Sequence, residues 1–336
     1  MHKILIATDS YDQVNGVSTT YRNILSHSAQ KPFVVHPGLF KWRTFAIYPE
    51  VQICKEPLKA YKKIKEISPT HIHIGTEGPI GLAARIYCKL NRIPYTTGYH
   101  TKFPEFLWYM YKVPTFFTYP YMKWFHSKSS AVMVSTDSLK TDLEMRGFKN
   151  LTKWTRGVDL KEFYPAKNVI RNYWMWLYVG RISKEKNIEA FLSLNLPGIK
   201  VVVGDGPDLE RLQRKYPEVR WMGKLTGDDL RAQYQNANVF VFPSKTDTFG
   251  LVLLEAMACG TPVAAYPVTG PIDVLGNSRA GAMSDDLREA CLQALKIPRE
   301  VARAHAEKFS WKAASEQFAL HLKPVPSPEV HVTALA

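Results

Sequence analysis

Two cations stand close together in residues 178–188, just after a short run of apolar and β-branched residues. Arg181 and Lys186 lie where this predicted strand ends and a helix begins. The helix dipole disfavours cations at a helix N-terminus, so their presence indicates an anion between them. A diphosphate fits, because arginine offers a planar fork and lysine a point charge. A solvated charged loop is the alternative interpretation.

A second candidate site spans residues 242–262, where a strand pattern leads through a polar loop into an almost wholly apolar helix. The first N–H groups of that helix are free to hold a phosphate. Glu255 is the polar exception within the helix, and Asp247 lies eight positions before it. A buried carboxylate needs hydroxyls, a cation or backbone donors. A helix cap with an internal salt bridge is the alternative interpretation of this pair.

Three shorter segments could line the same site. Gly16 stands at the first strand–helix turn, where a glycine lets backbone approach a ligand closely. This turn lacks the G-x-G-x-x-G spacing of nicotinamide and flavin dinucleotide sites. Gly204 opens another strand–helix turn, which is as typical of a plain turn as of a nucleotide site. His100 follows a predicted strand and should point to the same edge, although most lone histidines are structural.

An alternation of strand and helix patterns must position these residues. Short apolar runs alternate with helical periodicity from Ile4 to about Arg146, and the pattern restarts at Trp174. This alternation predicts an α/β protein with two doubly wound parallel sheets. Such sheets bind ligands beyond the carboxyl ends of their strands. The polar segment 155–167 places the boundary, giving domains at 1–164 and 165–308, a terminal helix at 309–322 and a disordered tail at 323–336.

The composition is that of a soluble globular protein with an unusual charge. Hydrophobic residues make up 46% and charged residues 22%, which argues against disorder and fibrous repeats. The net charge is +14, from 44 Lys+Arg and 30 Asp+Glu. Residues 1–164 hold 23 basic and 12 acidic residues, a net of +11, against +3 for the remainder. The basic excess suggests an anionic partner: nucleic acid, a membrane surface or a phosphorylated ligand.

Targeting and cysteine signals favour a reduced, cytoplasmic setting. The 4 cysteines are far apart and form no C-x-x-C pair, so neither disulfides nor a metal cluster is predicted. The N-terminal apolar run is too short for a signal peptide, and no stretch approaches the length of a spanning helix. The protein is therefore expected to be soluble or peripheral.

Aromatic residues and lysines are interleaved in residues 99–125, which contain twelve aromatics. Lysines and aromatic rings together are favoured at a bilayer interface. Nucleic acid could bind to the same aromatic rings and lysines. The alternative without a ligand is an ordinary aromatic core with a solvated lysine face. No recognised nucleic-acid motif is present. The candidate membrane or acceptor residues are Lys59, Lys62, Lys63, Lys65, Phe103, Phe106 and Trp108.

Taken together, these segments resemble the family-4 retaining glycosyltransferases of the GT-B fold. The resemblance runs from Asn15-Gly16-Val17 to the helix at Phe309-Ser310-Trp311, and its most specific parts are residues 180–186 and 246–262. It is greatest to bacterial members with T-D-T-F-G, Y-H-T-x-F-P-E and R-G-V-D strings, which are commonly assigned as glycolipid synthases or α-mannosyltransferases. The resemblance implies an acceptor-side first domain, a donor-binding second domain and a terminal helix that crosses back.

The resemblance also implies roles for single residues. Arg181 and Lys186 would bind the donor diphosphate, Glu255 the ribose hydroxyls, and Asp247 the sugar, where most members carry glutamate. His100 would line the sugar site, and base recognition would fall near Met222. The implied catalytic set is Arg181, Lys186, Asp247 and His100. The remaining donor contacts would come from Gly16, Gly204, Gly223, Thr248, Phe249, Gly250 and Leu251.

The function expected is transfer of a sugar from a UDP- or GDP-linked donor to a membrane lipid such as diacylglycerol. The resemblance implies retention of configuration and no bound metal or cofactor, and the physical load then falls on leaving-group stabilisation. A GDP-mannose-dependent α-mannosyltransferase acting on a glycan or lipid-linked glycan is the first alternative. A non-catalytic module that binds anionic membranes is the second. The expected location is the inner face of the cell membrane, with no nucleic-acid partner.

Overall fold

The computed structural model describes residues 3–29, 31–44, 52–167 and 173–324. It has two parallel six-stranded sheets, built from residues 4–153 and 175–283. The predicted disordered tail falls outside the described residues from position 325 onward. The α/β class and the two doubly wound sheets predicted from the sequence are confirmed.

The first sheet is formed by short strands that run parallel to their neighbours. A separate antiparallel pair lies beside it. In chain order the strands are β1 (Ile4–Ala7), β2 (Phe33–Val35), the paired β3 (Trp42–Thr44) and β4 (Gln52–Cys54), β5 (His71–Ile74), β6 (Thr96–Tyr99), β7 (Ala131–Val134) and β8 (Leu151–Lys153). The order across the sheet is β2-β1-β5-β6-β7-β8. Every residue of β1, β6 and β7 is buried, as expected for strands covered on both faces.

Six helices connect these strands: α1 (Gly16–His27), α2 (Pro57–Ile67), α3 (Pro79–Leu90), α4 (Phe103–Tyr111), α5 (Thr115–His126) and α6 (Asp137–Met145). Local chemistry fixes where α1 begins. The side chain of Asn15 accepts hydrogen bonds from the N–H groups of Val17 and Ser18, both at 3.0 Å. This cap satisfies two of the free donors at the helix start and leaves Gly16 at its tip.

The second sheet repeats the pattern with strands β9 (Met175–Val179), β10 (Ile199–Val203), β11 (Arg220–Trp221), β12 (Val239–Phe242), β13 (Val263–Ala265) and β14 (Gly281–Met283). Its order is β11-β10-β9-β12-β13-β14. Its helices are α7 (Ile188–Leu192), α8 (Leu209–Lys215), α9 (Gly227–Asn236), α10 (Leu251–Ala258), α11 (Pro271–Leu275) and α12 (Leu287–Ala294). The chain continues through α13 (Arg299–Ala306) and α14 (Trp311–His321).

The strand order of the second sheet reverses between β9 and β12, and this reversal determines where the site lies. A doubly wound sheet leaves a crevice beyond the carboxyl ends of the two strands where its order reverses. The segment with Arg181 and Lys186 leaves the end of β9, and the segment with Asp247 leaves the end of β12. The two most polar candidate segments are therefore neighbours at the switch point.

The last helix packs on the first half of the chain. Trp311 and Phe318 of α14 join a buried cluster with Tyr21 and Trp154. The indole Nε1 of Trp154 donates to the carbonyl of Ala314 at 3.0 Å. Helix α14 follows the second sheet in the chain but crosses back to pack against α1 of the first half.

Several elements differ from the sequence pattern. The aromatic run forms two helices, α4 and α5, with Pro120 inside α5. Strands β8 and β14, each of three residues, were not predicted either. None of the described helices has the length and hydropathy required to span a bilayer.

Candidate active site

The ends of β9 and β12 are tied together directly. The Lys186 ammonium donates to Oδ1 of Asp247, and Asn187 Nδ2 donates to the Pro243 carbonyl at 3.1 Å. Arg181 Nη1 lies 3.9 Å from Oε1 of the buried Glu185. Arg181 and Lys186 are each about a quarter exposed. The predicted pair of cations is thus brought together with Asp247 at one crevice.

Asp247 has one engaged oxygen and one without a partner. Its Oδ2 is buried, and no group among the described residues forms a hydrogen bond with it. Burial alone would raise the pKa of this carboxyl. The charge and hydrogen bond of Lys186, the Ser244 side chain and the charge of Arg181 together outweigh burial, so the pKa lies below its ordinary value and the group is ionised. An ionised carboxylate with a spare acceptor oxygen can bind a ligand hydroxyl.

Glu255 lies one turn into α10 and has a different environment. Its Oε2 accepts a hydrogen bond from the Tyr234 hydroxyl at 2.8 Å. Burial raises the pKa of Glu255 to about 7, and the nearby charge of Glu162 adds to this rise. Glu255 also lines a cavity of about 40 Å³ that reaches Thr19 of α1. The carboxyl therefore faces the opening between the two halves of the chain.

The N-terminus of α10 faces the N-terminus of α1. Gly250, at φ 85°, leads into Leu251, the first residue of α10. A methyl group built on Gly16 would lie 3.8 Å from the Leu251 side chain. Asn15 already accepts from the N–H groups of Val17 and Ser18, so the first turn of α10 is the helix start with free donors that can stabilise an anion here.

Thr248 and Phe249 have contacts that the sequence did not predict. The Thr248 hydroxyl donates to the carbonyl of His100 at 2.6 Å, and its own carbonyl accepts from the Ser135 hydroxyl at 2.9 Å. Phe249 is buried, with its ring 6.3 Å from that of Phe309. The Thr248 side chain joins the two halves of the chain, and the Phe249 side chain is part of the second-half core, so donor contact by either residue would have to use backbone groups.

Gly204, Met222 and Gly223 lie at the far edge of the second sheet. The N–H of Gly204 donates to the Gly223 carbonyl at 2.8 Å. A side chain at Gly204 would meet the Gly180 carbonyl at 1.9 Å, so this glycine permits a close backbone approach. Met222 is exposed, and Gly223 has open space around it. The pair at 222–223 is available to a planar base.

His100 belongs to a buried hydrogen-bond network. Its Nε2 lies 2.8 Å from the Tyr21 hydroxyl, and its Nδ1 lies 3.2 Å from Nη2 of Arg156. The Tyr21 hydroxyl also lies 2.8 Å from Nε2 of His73. Sequence reasoning missed Tyr21, His73 and Arg156, although the R-G-V-D string that contains Arg156 was visible. Each lies in a different element, so their meeting depends on the assembled sheet.

Polar contacts also join α6 and α4 to the second half of the chain. Ser138 donates both its N–H, at 2.9 Å, and its hydroxyl to the carboxylate of Asp273. Lys102 Nζ donates to Thr269 Oγ1 at 3.3 Å. Neither contact was predicted, because the residues are more than a hundred positions apart in sequence.

The candidate membrane residues divide into two groups. Lys59, Lys62, Lys63 and Lys65 are exposed on α2, but Lys59 pairs with Glu56 at 2.7 Å and Lys63 with Glu66 at 3.2 Å. Phe103 and Phe106 are half-buried, whereas Trp108 is exposed. Trp108 is one of seven exposed aromatic side chains on α4 and α5. Together they are called the aromatic surface: Trp108, Tyr109, Tyr111, Phe116, Phe117, Tyr121 and Trp124.

In the part of the chain that the structure describes, no three His, Cys, Asp or Glu side chains are grouped to hold a metal ion. Metal independence of any reaction stays a prediction.

Comparison with known proteins gives consistent matches across both halves. The model "Glycosyltransferase Family 4" matches residues 13–162, and "Glycosyl transferases group 1" matches residues 175–297. The chain is 26% identical to a GDP-mannose-dependent alpha-mannosyltransferase of Corynebacterium glutamicum, covering 85% of this chain and 77% of that protein. It is also 26% identical to an alpha-monoglucosyldiacylglycerol synthase of Streptococcus pneumoniae, covering 94% of this chain and 83% of that protein.

A solved structure shares the fold over nearly the full length. The Anabaena protein HepE, crystallised with UDP-glucose, superposes with a TM-score of 0.73 at 16% identity. The match covers 95% of this chain and 99% of that one.

Proposed function

The chain belongs to the family-4 glycosyltransferases of the GT-B fold, and from that premise we propose that it transfers a sugar from a nucleotide-diphosphate donor to a membrane lipid. The sugar keeps its anomeric configuration, and the acceptor is a lipid such as diacylglycerol. The observation that carries this proposal is the crevice at the ends of β9 and β12. There Lys186 contacts Asp247, while Asp247 Oδ2 has no partner among the described groups.

The donor diphosphate would sit beside Arg181 and Lys186. Both side chains are only partly buried, so an anion can reach them without unfolding the loop. The N-terminus of α10 would add free N–H groups on the same anion, with Gly16 at the capped start of α1 allowing a close approach. Fixed cations and N–H dipoles stabilise the charge that develops as the diphosphate leaves.

The two carboxylates would bind the neutral parts of the donor. Asp247 Oδ2 would accept a hydroxyl of the sugar, and Glu255 would accept hydroxyls of the ribose. Asp247 is ionised and can only accept hydrogen bonds, which suits a polyhydroxyl ligand. The 222–223 segment would contact the base.

The chemical step we propose is a front-face substitution. The bond between the anomeric carbon and the phosphate oxygen breaks, and the acceptor oxygen bonds to the anomeric carbon on the same face. The acceptor's proton passes to the departing phosphate oxygen. Arg181 and Lys186 hold that phosphate throughout, so no protein nucleophile is required.

The lipid acceptor is supported by the aromatic surface. Phe116 and Phe117 are 66% and 65% exposed, which is unusual for phenylalanine on a water-facing helix. Helix α4 packs against Lys184–Lys186, next to the proposed diphosphate site. A bilayer contacted by this surface and by the α2 lysines would present lipid hydroxyls near the crevice. We therefore place the protein peripherally on the inner face of the cell membrane.

A donor panel tests the proposed reaction. The protein would be incubated with UDP- and GDP-linked sugars and with extracted membrane lipids, and the products would be identified by mass. A glycolipid product of retained anomeric configuration supports the proposal. Release of free sugar or transfer to no lipid would contradict the lipid acceptor.

GDP-mannose-dependent mannosyl transfer is the second candidate. The relative in Corynebacterium glutamicum carries that activity in its name and aligns over most of this chain. In the same panel, mannose transfer from GDP-mannose with no use of UDP-sugars would favour it over a UDP-linked glycolipid synthase.

Vesicle binding tests the membrane surface. Binding to anionic vesicles should be strong at low salt and weaken as salt screens the charges. Replacing Lys59, Lys62, Lys63 and Lys65 by Glu should abolish it while donor hydrolysis continues, since each basic residue near the surface contributes about 1 kcal/mol.

A matched control keeps the same change in net charge. It replaces exposed Lys215, Lys224, Lys296 and Lys308 in the second half of the chain by Glu. The control should bind vesicles far better than the α2 variant. Equal partitioning onto neutral and anionic vesicles, or none onto either, would contradict the membrane proposal and favour a soluble glycan acceptor.

A further inference from the structure

Arg156 is a buried cation whose contacts are all neutral. It is 3% exposed, and none of the ion pairs in the described ranges includes it. Its Nη1 donates to the carbonyls of Trp154 and Thr155, and its guanidinium carbon lies 4.1 Å above the Trp154 ring. Its Nη2 is directed at Nδ1 of His100, 3.2 Å away. Burying a charge without a counter-ion costs free energy of folding, so a functional role would explain why this arginine is buried.

The donors and acceptors around Arg156 fix where the hydrogens lie. A guanidinium can only donate, so Nδ1 of His100 must accept, and a neutral imidazole then carries its hydrogen on Nε2. That hydrogen is donated to the Tyr21 hydroxyl at 2.8 Å. The tyrosine's single hydrogen is then donated to His73 Nε2, also at 2.8 Å. His73 keeps its hydrogen on Nδ1 and donates it to Thr96 Oγ1 at 2.8 Å.

Two glycines at neighbouring strand ends make room for this network. A side chain on Gly98 would meet Nε2 of His100 at 2.5 Å and the Tyr21 hydroxyl at 3.1 Å. A side chain on Gly75 would meet the Tyr21 hydroxyl at 2.6 Å. The Tyr21–His100 hydrogen bond therefore occupies a slot that the strand ends leave open.

The network ends at the proposed sugar site. The His100 carbonyl accepts from Thr248, the residue directly after Asp247. His100 is half-buried, and its backbone thus lies directly beside the segment that carries Asp247.

We propose that Arg156 is a positioning residue that holds the His100 imidazole in the neutral, Nε2-protonated form and orders the hydrogen bonds from His100 through Tyr21 and His73 to Thr96. The inference rests on the proposed function, because it assigns His100 to the sugar site of that reaction. A neutral ring is the form that suits a sugar whose anomeric carbon becomes positive as the diphosphate leaves. An imidazolium there would oppose the developing charge.

The surroundings of His100 agree with a neutral ring. The titratable and charged groups around it are Arg156, Tyr21, His73 and His126. Burial lowers the pKa of His100 well below its ordinary value, and the charge of Arg156 lowers it further. Protonation of Nδ1 would also point a hydrogen at the guanidinium, so it requires loss of the Arg156 contact.

Nitrogen NMR of the histidine side chains tests the assignment directly. In the unmodified protein at about pH 6, His100 should show a bare Nδ1 and a protonated Nε2, whereas a free histidine would be largely protonated. The signals would be identified by their absence in His100→Asn. Protonation of Nδ1 in the unmodified protein would overturn the proposal, whatever the variants do.

Two replacements of Arg156 separate its donor property from its size. Arg156→Lys retains a cation that can only donate, so the Nε2–H form should persist. Arg156→Gln offers an amide that can donate or accept, so Nδ1–H should become populated and the pKa of His100 should rise.

Tyr21→Phe removes the next partner but leaves Arg156, so His100 should keep its tautomer. Arg303→Gln, which removes an arginine bound to the carbonyls of Phe163 and Ala258, is the control.

Kinetics complete the test. With the donor and acceptor found in the panel, Arg156→Gln should lower kcat about tenfold or more with less change in donor KM, the pattern of a misplaced group. Arg156→Lys should recover most of that loss. A switched tautomer with unchanged kcat would overturn the positioning role. Absence of any sugar transfer in the unmodified protein would instead reject the proposed function, while the NMR result would still decide the tautomer.

Discussion

The two walls of the crevice solve the problem of buried polar groups in opposite ways. On the second-sheet wall, opposite charges meet directly, as in the pairs Lys186–Asp247 and Arg181–Glu185. On the first-sheet wall, a lone guanidinium, Arg156, is surrounded by carbonyls, an aromatic ring and a neutral imidazole. Paired charges can exchange partners when an anion enters. A chain of neutral donors and acceptors has one arrangement and resists exchange.

Within the second-sheet wall, the two carboxyls differ from each other in ionisation. Asp247 lies beside two cations, which hold its pKa below the ordinary value in spite of burial. Glu255 accepts a hydrogen bond from the Tyr234 hydroxyl, and burial raises its pKa to about 7. We infer that the second-sheet wall offers a charged acceptor beside the cations and a second carboxyl whose ionisation burial opposes.

The largest expected effect follows from removing the cations of the second-sheet wall. Arg181→Ala or Lys186→Ala should slow sugar transfer by about 10²-fold or more, the scale of losing one donor to a developing oxyanion. The fold should survive, because both side chains are partly exposed. Steady-state transfer rates and thermal unfolding would be measured together.

Lys184→Ala is the matched control, since Lys184 is an exposed lysine in the same short segment. Its rate should stay within a few-fold of the unmodified protein. Near-normal turnover in either Arg181→Ala or Lys186→Ala would show that the diphosphate does not bind there.

A smaller effect is expected at Glu255. Glu255→Gln should weaken nucleotide binding about tenfold, because a ribose diol prefers carboxylate acceptors to one amide. Calorimetry with UDP and GDP would measure it, with the exposed Glu210→Gln on α8 as control. Unchanged affinity for both nucleotides would reject the ribose role.

The same substitution should change stability in the opposite direction. The folded pKa of Glu255, about 7, lies above its ordinary value of 4.5, so the folded state holds the extra proton between these pH values. The unmodified protein therefore loses stability relative to the variant as pH rises from about 4.5 through 7. Above that range, Glu255→Gln should be more stable by about 3 kcal/mol. Equal denaturation midpoints for the variant and the unmodified protein at about pH 8 would contradict the raised pKa of the Glu255 carboxyl.

The sequence predicted the second-sheet wall better than the first. Arg181, Lys186, Asp247 and Glu255 lie in two continuous segments at strand ends, where topology alone brings side chains together. Arg156 and His100 are 56 positions apart, and Tyr21 and His73 are 52 apart. Such contacts depend on how strands and loops are assembled, which local patterns do not encode.

The aromatic run shows a different limit. Its composition indicated a membrane interface, but the run forms two helices that bury Tyr119 and Phe125 while exposing Phe116 and Phe117. Three prolines, at 104, 114 and 120, interrupt the helical period there. Which rings face outward could therefore be known only from the packed helices.

The last expected effect concerns His73 on the first-sheet wall and appears only in acid. Burial lowers the pKa of His73 to about 3, from an ordinary value of 6.5, so the folded state keeps this ring neutral while the unfolded chain takes up a proton. Stability therefore falls as pH drops below about 6.5, by about 1.4 kcal/mol per pH unit for this group. Asp9, whose pKa burial raises to about 6, contributes with the opposite sign, as Glu255 does.

Because these contributions partly cancel, the informative quantity is the difference between two proteins measured in one buffer series. His73→Gln keeps an amide donor and acceptor near Tyr21 and Thr96 but cannot titrate. Its stability relative to the unmodified protein should rise steadily as pH falls from about 6.5 toward 4. His27→Gln, which removes an exposed histidine at the end of α1, gives the baseline for losing a histidine as such. Parallel stability curves for His73→Gln and the unmodified protein would show that the ring accepts a proton in the folded state. The first-sheet wall would then rearrange with charge as the second does.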